Sequence, residues 1–134
     1  MATTDTGAVV ALLKDLVRER SLSYEEEGAA DLLERYVRER GLPVGRHAEN
    51  VYFWLGDGDR TLLLNSHLDV VPPSENHPHD PFDPVEEDGV IWGRGTVDAK
   101  ASGAAMTRAL VELAEEGWTP DGGRLLVALT ACEE

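Results

Sequence analysis

Arg60-Thr61-Leu62-Leu63-Leu64-Asn65-Ser66-His67-Leu68-Asp69 decides the fold. Its three successive leucines, closed off by polar residues on both sides, read as a strand buried on both faces rather than one alternating between core and water. His67 and Asp69 then fall just past the strand's C-terminal end, where open α/β sheets present their ligand-binding groups. Two more acidic stretches follow strand-like runs in the same way. Val85 to Trp92 leads into Gly93-Arg94-Gly95-Thr96-Val97-Asp98-Ala99-Lys100, and Leu125 to Ala131 leads into Cys132-Glu133-Glu134. Three strand ends are therefore expected to deliver His, Asp and Glu to one edge of a sheet.

Upstream of that stretch, Val9, Leu12, Leu13, Leu16 and Val17 share one stripe at helical spacing and predict a helix from Thr6 to Arg20. Ser23 followed by Glu26 has the form of a capping box and opens a second helix, with Ala30, Leu33, Tyr36 and Val37 inward and Gly41 and Pro43 as its stop. Between Val44 and Leu55 the chain turns strand-like, Val51, Phe53 and Leu55 alternating with Tyr52 and Trp54. Gly56-Asp57-Gly58-Asp59 then predicts a hairpin that makes the Arg60 strand an antiparallel neighbour.

Downstream, Pro72 to Pro84 is too punctuated for regular structure. His77 and His79 lie within it and read as loop residues rather than a ligand pair. Val85 to Trp92 is expected to be a hairpin about Asp88-Gly89. Ala101 to Gly117 is expected to be a helix with Ala105, Met106, Ala109, Leu110 and Leu113 inward. Leu125 to Ala131 is a central strand. The expected fold is α/β, a mixed, largely parallel sheet flanked by helices.

Composition bounds the function. At 134 residues, with 42% hydrophobic residues and three Trp, the chain suits one globular domain with a sizeable core. A formal net charge of −14 argues against nucleic acid and anionic membranes as partners. No run approaches the roughly 18 apolar residues of a membrane span, and residues 1–7 lack the pattern of a secretory signal. One cysteine supplies no disulfide framework, so a cytoplasmic location is expected. An acidic chain with only two lysines, Lys14 and Lys100, raises the expectation of a high-salt cytoplasm.

The spaced acids suit a metal. Transition cations such as zinc take imidazole nitrogen and carboxylate oxygen, and a cluster of acids repels itself unless cations fill it. Acidic loops on an acidic protein are the alternative at this point. Gly93-Arg94-Gly95 has neither the phosphate-loop nor the dinucleotide glycine spacing, which excludes nucleotide binding there. Asp69 is placed to orient a metal-ligating imidazole. Of two adjacent glutamates, one can ligate while the other stays free to take a proton from water. Cys132 precedes them with no histidine expected nearby, and reads as a small buried residue rather than a nucleophile.

Asn65-Ser66-His67-Leu68-Asp69-Val70-Val71-Pro72, Ile91-Trp92-Gly93-Arg94-Gly95-Thr96-Val97-Asp98-Ala99-Lys100 and Thr130-Ala131-Cys132-Glu133-Glu134 resemble three successive signature motifs. They are similar to those of the co-catalytic zinc amidohydrolases and peptidases, among them acetylornithine deacetylase, succinyl-diaminopimelate desuccinylase, aminoacylase and carboxypeptidase G. The resemblance implies two divalent metal ions, zinc first, with cobalt and manganese as alternatives. It implies metal ligation by His67, Asp98 (bridging) and Glu134, catalysis by Glu133 as general base, and Asp69 as the group that orients His67. It also implies a cis peptide bond after Asp98.

The reaction implied is hydrolysis of an amide in a small N-acyl amino acid, acetylornithine deacetylase-like, or in a short peptide. Residues 1–134 correspond to the N-terminal portion of such a catalytic domain. The family's further acidic ligand, lid or dimerisation domain and late histidine ligand have no counterpart in them. The isolated chain is accordingly expected to be inactive, with apolar surface left open, and a homodimer is expected only of the full-length protein.

Overall fold

The computed structural model describes residues 3–134. Its elements run α1 (Thr6–Arg18), α2 (Glu27–Glu39), β1 (Val44–His47), β2 (Asn50–Leu55), β3 (Arg60–His67), β4 (Val85–Glu87), β5 (Val90–Trp92), α3 (Lys100–Glu115) and β6 (Gly123–Thr130). α1 starts where the Asp5 carboxylate accepts a hydrogen bond from the Ala8 N–H at 3.1 Å, an N-cap. It buries Leu12, Leu13, Leu16 and Val17, the stripe that the periodicity predicts. α2 buries Ala29, Ala30, Leu33 and Val37. Its capping box does not form: Glu26 occupies the N-cap position without a side-chain cap bond, and Ser23 donates instead to Asp69.

Four strands form the main sheet in the order β1-β2-β6-β3. β1 and β2 are antiparallel, β2 and β6 are antiparallel, and β3 and β6 are parallel. The sheet is mixed and helix-flanked as expected, but within the described residues it is mostly antiparallel. The reason is a hairpin at Ala48-Glu49 that splits the Val44–Leu55 segment into two strands, so that only the β3–α3–β6 crossover yields a parallel pair.

The Gly56–Asp59 turn is not a hairpin either. β2 and β3 are separated by β6, and the turn carries the chain past the start of that strand, the Gly58 N–H donating to Gly123 O at 3.1 Å. Gly58 lies so close to the Gly122-Gly123 backbone that a Cβ there would collide with it. The glycine therefore serves a close backbone approach.

β3 is consequently an edge strand among the described residues. Leu62 is 64% exposed and Leu63 53% exposed, against the expectation of a strand buried on both faces. β4 and β5 form the expected hairpin as a separate two-stranded sheet, with Asp88 at φ 50° and Gly89 at φ 77°, the conformation of a tight type I′ turn.

The core lies where α2 and α3 meet the sheet: Leu33, Val37, Phe53, Leu110, Val127 and Leu129 are buried together there. Leu12, Leu16, Val17 and Ala104 form a second cluster between α1 and α3. α3 turns Gly103, Ala104, Thr107, Leu110 and Val111 inward, while Ala105 and Ala109 are exposed. Met106, Leu110 and Leu113 pack inward as expected, Leu110 fully and the other two in part. Of the expected set only Ala105 and Ala109 miss, and Gly103, Ala104 and Thr107 are buried instead because α3 is covered on two sides, by the sheet and by α1.

Candidate metal centre

β3 and β6 run parallel and in register to their ends, with His67 opposite Thr130. The Leu68 N–H donates to Thr130 O at 2.8 Å, so the two strands leave the sheet side by side. This brings His67 and the Ala131–Glu134 segment to one place, although more than sixty residues separate them in sequence. A third segment packs beneath: Ser21 donates its hydroxyl to Leu68 O at 2.7 Å, and the Val70 N–H donates to Ser21 O at 2.8 Å.

The His67 imidazole is buried. Its Nδ1 lies 3.0 Å from Asp69 O and 3.3 Å from Asp69 Oδ1. That side of the ring is thereby occupied, and Nε2 faces the acids: Asp98 Oδ1 at 2.9 Å and Glu133 Oε2 at 3.6 Å. His67, Glu133 and Glu134 each offer one ligand atom, all within 4.8 Å of one another. Asp98 meets His67 but is not one of that trio. Burial works against protonation of His67, but hydrogen bonds to Asp98 and the Asp69 carbonyl, with the charges of Asp69 and Glu133, raise its pKa above the ordinary histidine value.

Asp98 arrives by a different route from the one expected. It stands not at the end of a main-sheet strand but in the turns between β5 and α3. The Asp98–Ala99 peptide bond is cis, as the resemblance implies. Ala99 O accepts from the hydroxyl of Ser102 at 2.8 Å, and the Ser66 hydroxyl lies 3.4 Å from the same oxygen.

Asp69 is fully buried and holds the acidic segment by its backbone. Oδ1 accepts from the Glu133 N–H at 3.1 Å; Oδ2 accepts from the Glu134 N–H at 3.0 Å and from the Ser23 hydroxyl at 2.7 Å. Burial disfavours its charge, yet these donors outweigh burial and keep Asp69 below the ordinary carboxylate range. Sequence reasoning assigned Ser23 and Glu26 to a helix cap and gave Asn50 no role. In fact Glu26 and Asn50 accept from the Cys132 and Ala131 N–H groups at 2.9 and 3.0 Å. No sequence signal marked them: Glu25-Glu26-Glu27 reads as three equivalent surface acids, and only the structure shows that the middle one is buried while its neighbours are exposed.

Cys132 is exposed rather than buried, and its thiol faces Glu26 Oε1 at 3.5 Å. His77 and His79 lie apart from the cluster among the described residues: His77 Nδ1 is 2.7 Å from His79 O, and the His79 ring packs edge-on against Trp92. The donor set around His67, one imidazole nitrogen with several carboxylate oxygens, fits a divalent transition cation, and mutual repulsion of those acids is what such a cation would relieve.

The model of peptidase family M20/M25/M40 matches residues 63–134, more than half of the chain and the part that holds all of these acids. The chain belongs to this family. Members of the M20 family are hydrolases. The chain is 39% identical over 133 residues to succinyl-diaminopimelate desuccinylase of Cereibacter sphaeroides (strain ATCC 17025 / ATH 2.4.3), covering 93% of this chain and 34% of that protein. It spans about a third of the length of the curated relatives it matches.

Among solved M20-like folds, human carnosine dipeptidase 1 superposes with a TM-score of 0.78 at 20% identity over 93% of this chain and 32% of the other. A Bacillus subtilis protein described as a dinuclear metal-binding peptidase from the M20 family superposes with a TM-score of 0.65 at 18% identity, covering 93% and 34%. No helix among the described residues is long and apolar enough to cross a membrane.

Proposed function

We propose that these residues form the N-terminal portion of an M20-family amidohydrolase that removes the acyl group of a small N-acyl amino acid, with two divalent cations, zinc first, as cofactors. The observation that carries the reading is the convergence of Asp98, Glu133 and Glu134 on His67, with Asp98 and Glu133 at Nε2. His67, Asp98 and Glu134 would hold the cations, and bound cations would polarise the scissile carbonyl and acidify a water. Asp69 orients the His67 ring through Nδ1 and holds the Glu133 and Glu134 backbone at the same time. Glu133, with its side chain open to solvent beside Nε2, takes the proton of the attacking water and returns it to the leaving amine.

The curated relatives favour a succinyl over an acetyl group, so a desuccinylase is preferred to the acetylornithine-type deacetylase that the motifs suggest first. The test pairs metal titration of the 134-residue chain with amide hydrolysis by a polypeptide extended downstream, assayed on N-succinyl and N-acetyl amino acids and on dipeptides. Cobalt or zinc binding by the chain, with hydrolysis of the succinyl substrate only in the longer polypeptide, is the expected result. A chain that binds neither metal overturns the reading, and preferential cleavage of dipeptides replaces the deacylase with a peptidase.

A further inference from the structure

Beyond Thr130 the chain leaves the β-ladder, and its N–H groups need other acceptors. Successive amides find them in side chains from three separate segments. Ala131 donates to Asn50 Oδ1 at 3.0 Å, Cys132 to Glu26 Oε1 at 2.9 Å, Glu133 to Asp69 Oδ1 at 3.1 Å and Glu134 to Asp69 Oδ2 at 3.0 Å. Cys132 sits at φ +57°, a left-handed conformation that non-glycine residues adopt only when their surroundings impose it.

Glu26 is the side chain in contact with that residue. It is 1% exposed, and its other oxygen, Oε2, is buried with no hydrogen-bond partner. Burying a carboxyl group so incompletely satisfied is unfavourable. The burial does not serve as a cap, because the Glu26 side chain makes no hydrogen bond to the first turn of α2. What the side chain does make is the bond to Cys132.

We propose that Glu26 is a positioning residue for the metal centre: by accepting the Cys132 N–H it fixes the left-handed turn and so aims the next two side chains, Glu133 and Glu134, at His67. The inference rests on the reading of those glutamates as base and ligand. Asp69 holds the same segment one step further on, so the two buried carboxyl groups together set the turn and the direction of both glutamates. Without the Glu26 acceptor, Cys132 is free to relax toward negative φ, which rotates the peptide planes that carry Glu133.

Two variants separate the acceptor from packing. Glu26→Gln keeps a carbonyl oxygen for the Cys132 N–H, and Glu26→Met keeps the volume without an acceptor. In the metal-free chain, E26M is expected to speed hydrogen exchange of the Cys132 and Glu133 amides at least tenfold with the Val127 and Leu129 amides unchanged, and E26Q to exchange like the parent. Cobalt titration is expected to show affinity about 10- to 100-fold weaker in E26M, in the range for groups that orient metal ligands, with an altered cobalt absorption band. E26Q is expected to restore both.

Unchanged amide exchange in E26M, or parental cobalt affinity in it, overturns the proposal. If E26M does not fold, a folded E26Q with weakened cobalt binding overturns it just as directly. A parent chain that binds no cobalt instead overturns the metal-centre reading itself, and the positioning role with it.

Discussion

His67 Nε2 and Asp98 Oδ1 lie 2.9 Å apart across thirty-one residues of sequence. The Asp98 side chain is otherwise largely exposed, so little of the fold depends on it. Asp98→Asn is therefore expected to leave the unfolding free energy of the metal-free chain, from urea titration, within about 0.5 kcal/mol of the parent, as for most surface substitutions. Divalent binding should weaken at least tenfold, since the variant loses a carboxylate donor rather than a supporting group. Calorimetric titration with zinc or cobalt checks it, and equal affinity would remove Asp98 from the ligand set.

Asp69 gives a pH dependence whose sign is fixed. Its folded-state pKa is below the ordinary 3.8, so the stability it contributes is present above that value and is lost as pH falls through the lowered folded value. In the presence of chelator, Asp69→Asn should cost about 1–3 kcal/mol at pH 7, the range for disrupting buried hydrogen bonds. The gap between parent and variant should narrow as pH drops below 3.8. Urea unfolding at several pH values measures it; a gap that is constant down to the acid limit would contradict the hydrogen-bond account.

Lys100 ties α3 to the end of α1. Its buried ammonium donates to Leu16 O at 2.6 Å and Glu19 O at 2.8 Å, serving as a cap supplied from elsewhere in the chain. Burial depresses its pKa to about 8, with the nearby Glu19 charge acting the other way. Because the unfolded chain keeps its proton up to about 10.4, it binds more protons than the folded one between those values, and the Lys100 contribution to stability rises with pH across that window. Lys100→Met should cost about 1–3 kcal/mol at pH 7 by leaving carbonyls unpaired, and the parent's advantage should grow between pH 8 and 10. Denaturant melts of both proteins at pH 7, 8 and 10 decide it.

The helices were legible because Leu12, Leu16, Leu33 and Val37 repeat at helical spacing against wet charged faces. The meeting of His67 with Glu133 and Glu134 was also legible, because both segments end apolar runs that pair in parallel. Asp98 reaches His67 from the turns after β5 instead, and its place in the set came from the motif resemblance. Strand order was not legible. Gly56–Asp59 has hairpin composition, but composition does not say whether glycine permits a turn or a close backbone approach, and here Gly58 lies against Gly123. Ser23 and Glu26 escaped for a related reason. A capping box and a pair of long-range partners, one donating to Asp69 and one accepting from Cys132, use the same residues, and only the folded contacts show which applies.

The strand order also leaves β3 at the edge of the sheet among the described residues. Leu62 and Leu63 are both more than half exposed on a strand whose one partner among the described residues is β6. A long, apolar, unpaired edge is a template for pairing with another chain. The 134-residue chain is thus expected to self-associate reversibly at tens of micromolar in spite of a net charge of −14, while Leu62→Lys combined with Leu63→Glu keeps it monomeric. Because neither leucine is among the buried core residues, the double variant should retain the parent's far-ultraviolet circular dichroism. Sedimentation velocity over a concentration series measures the effect, and a parent chain that stays monomeric throughout would show that charge repulsion outweighs the open edge.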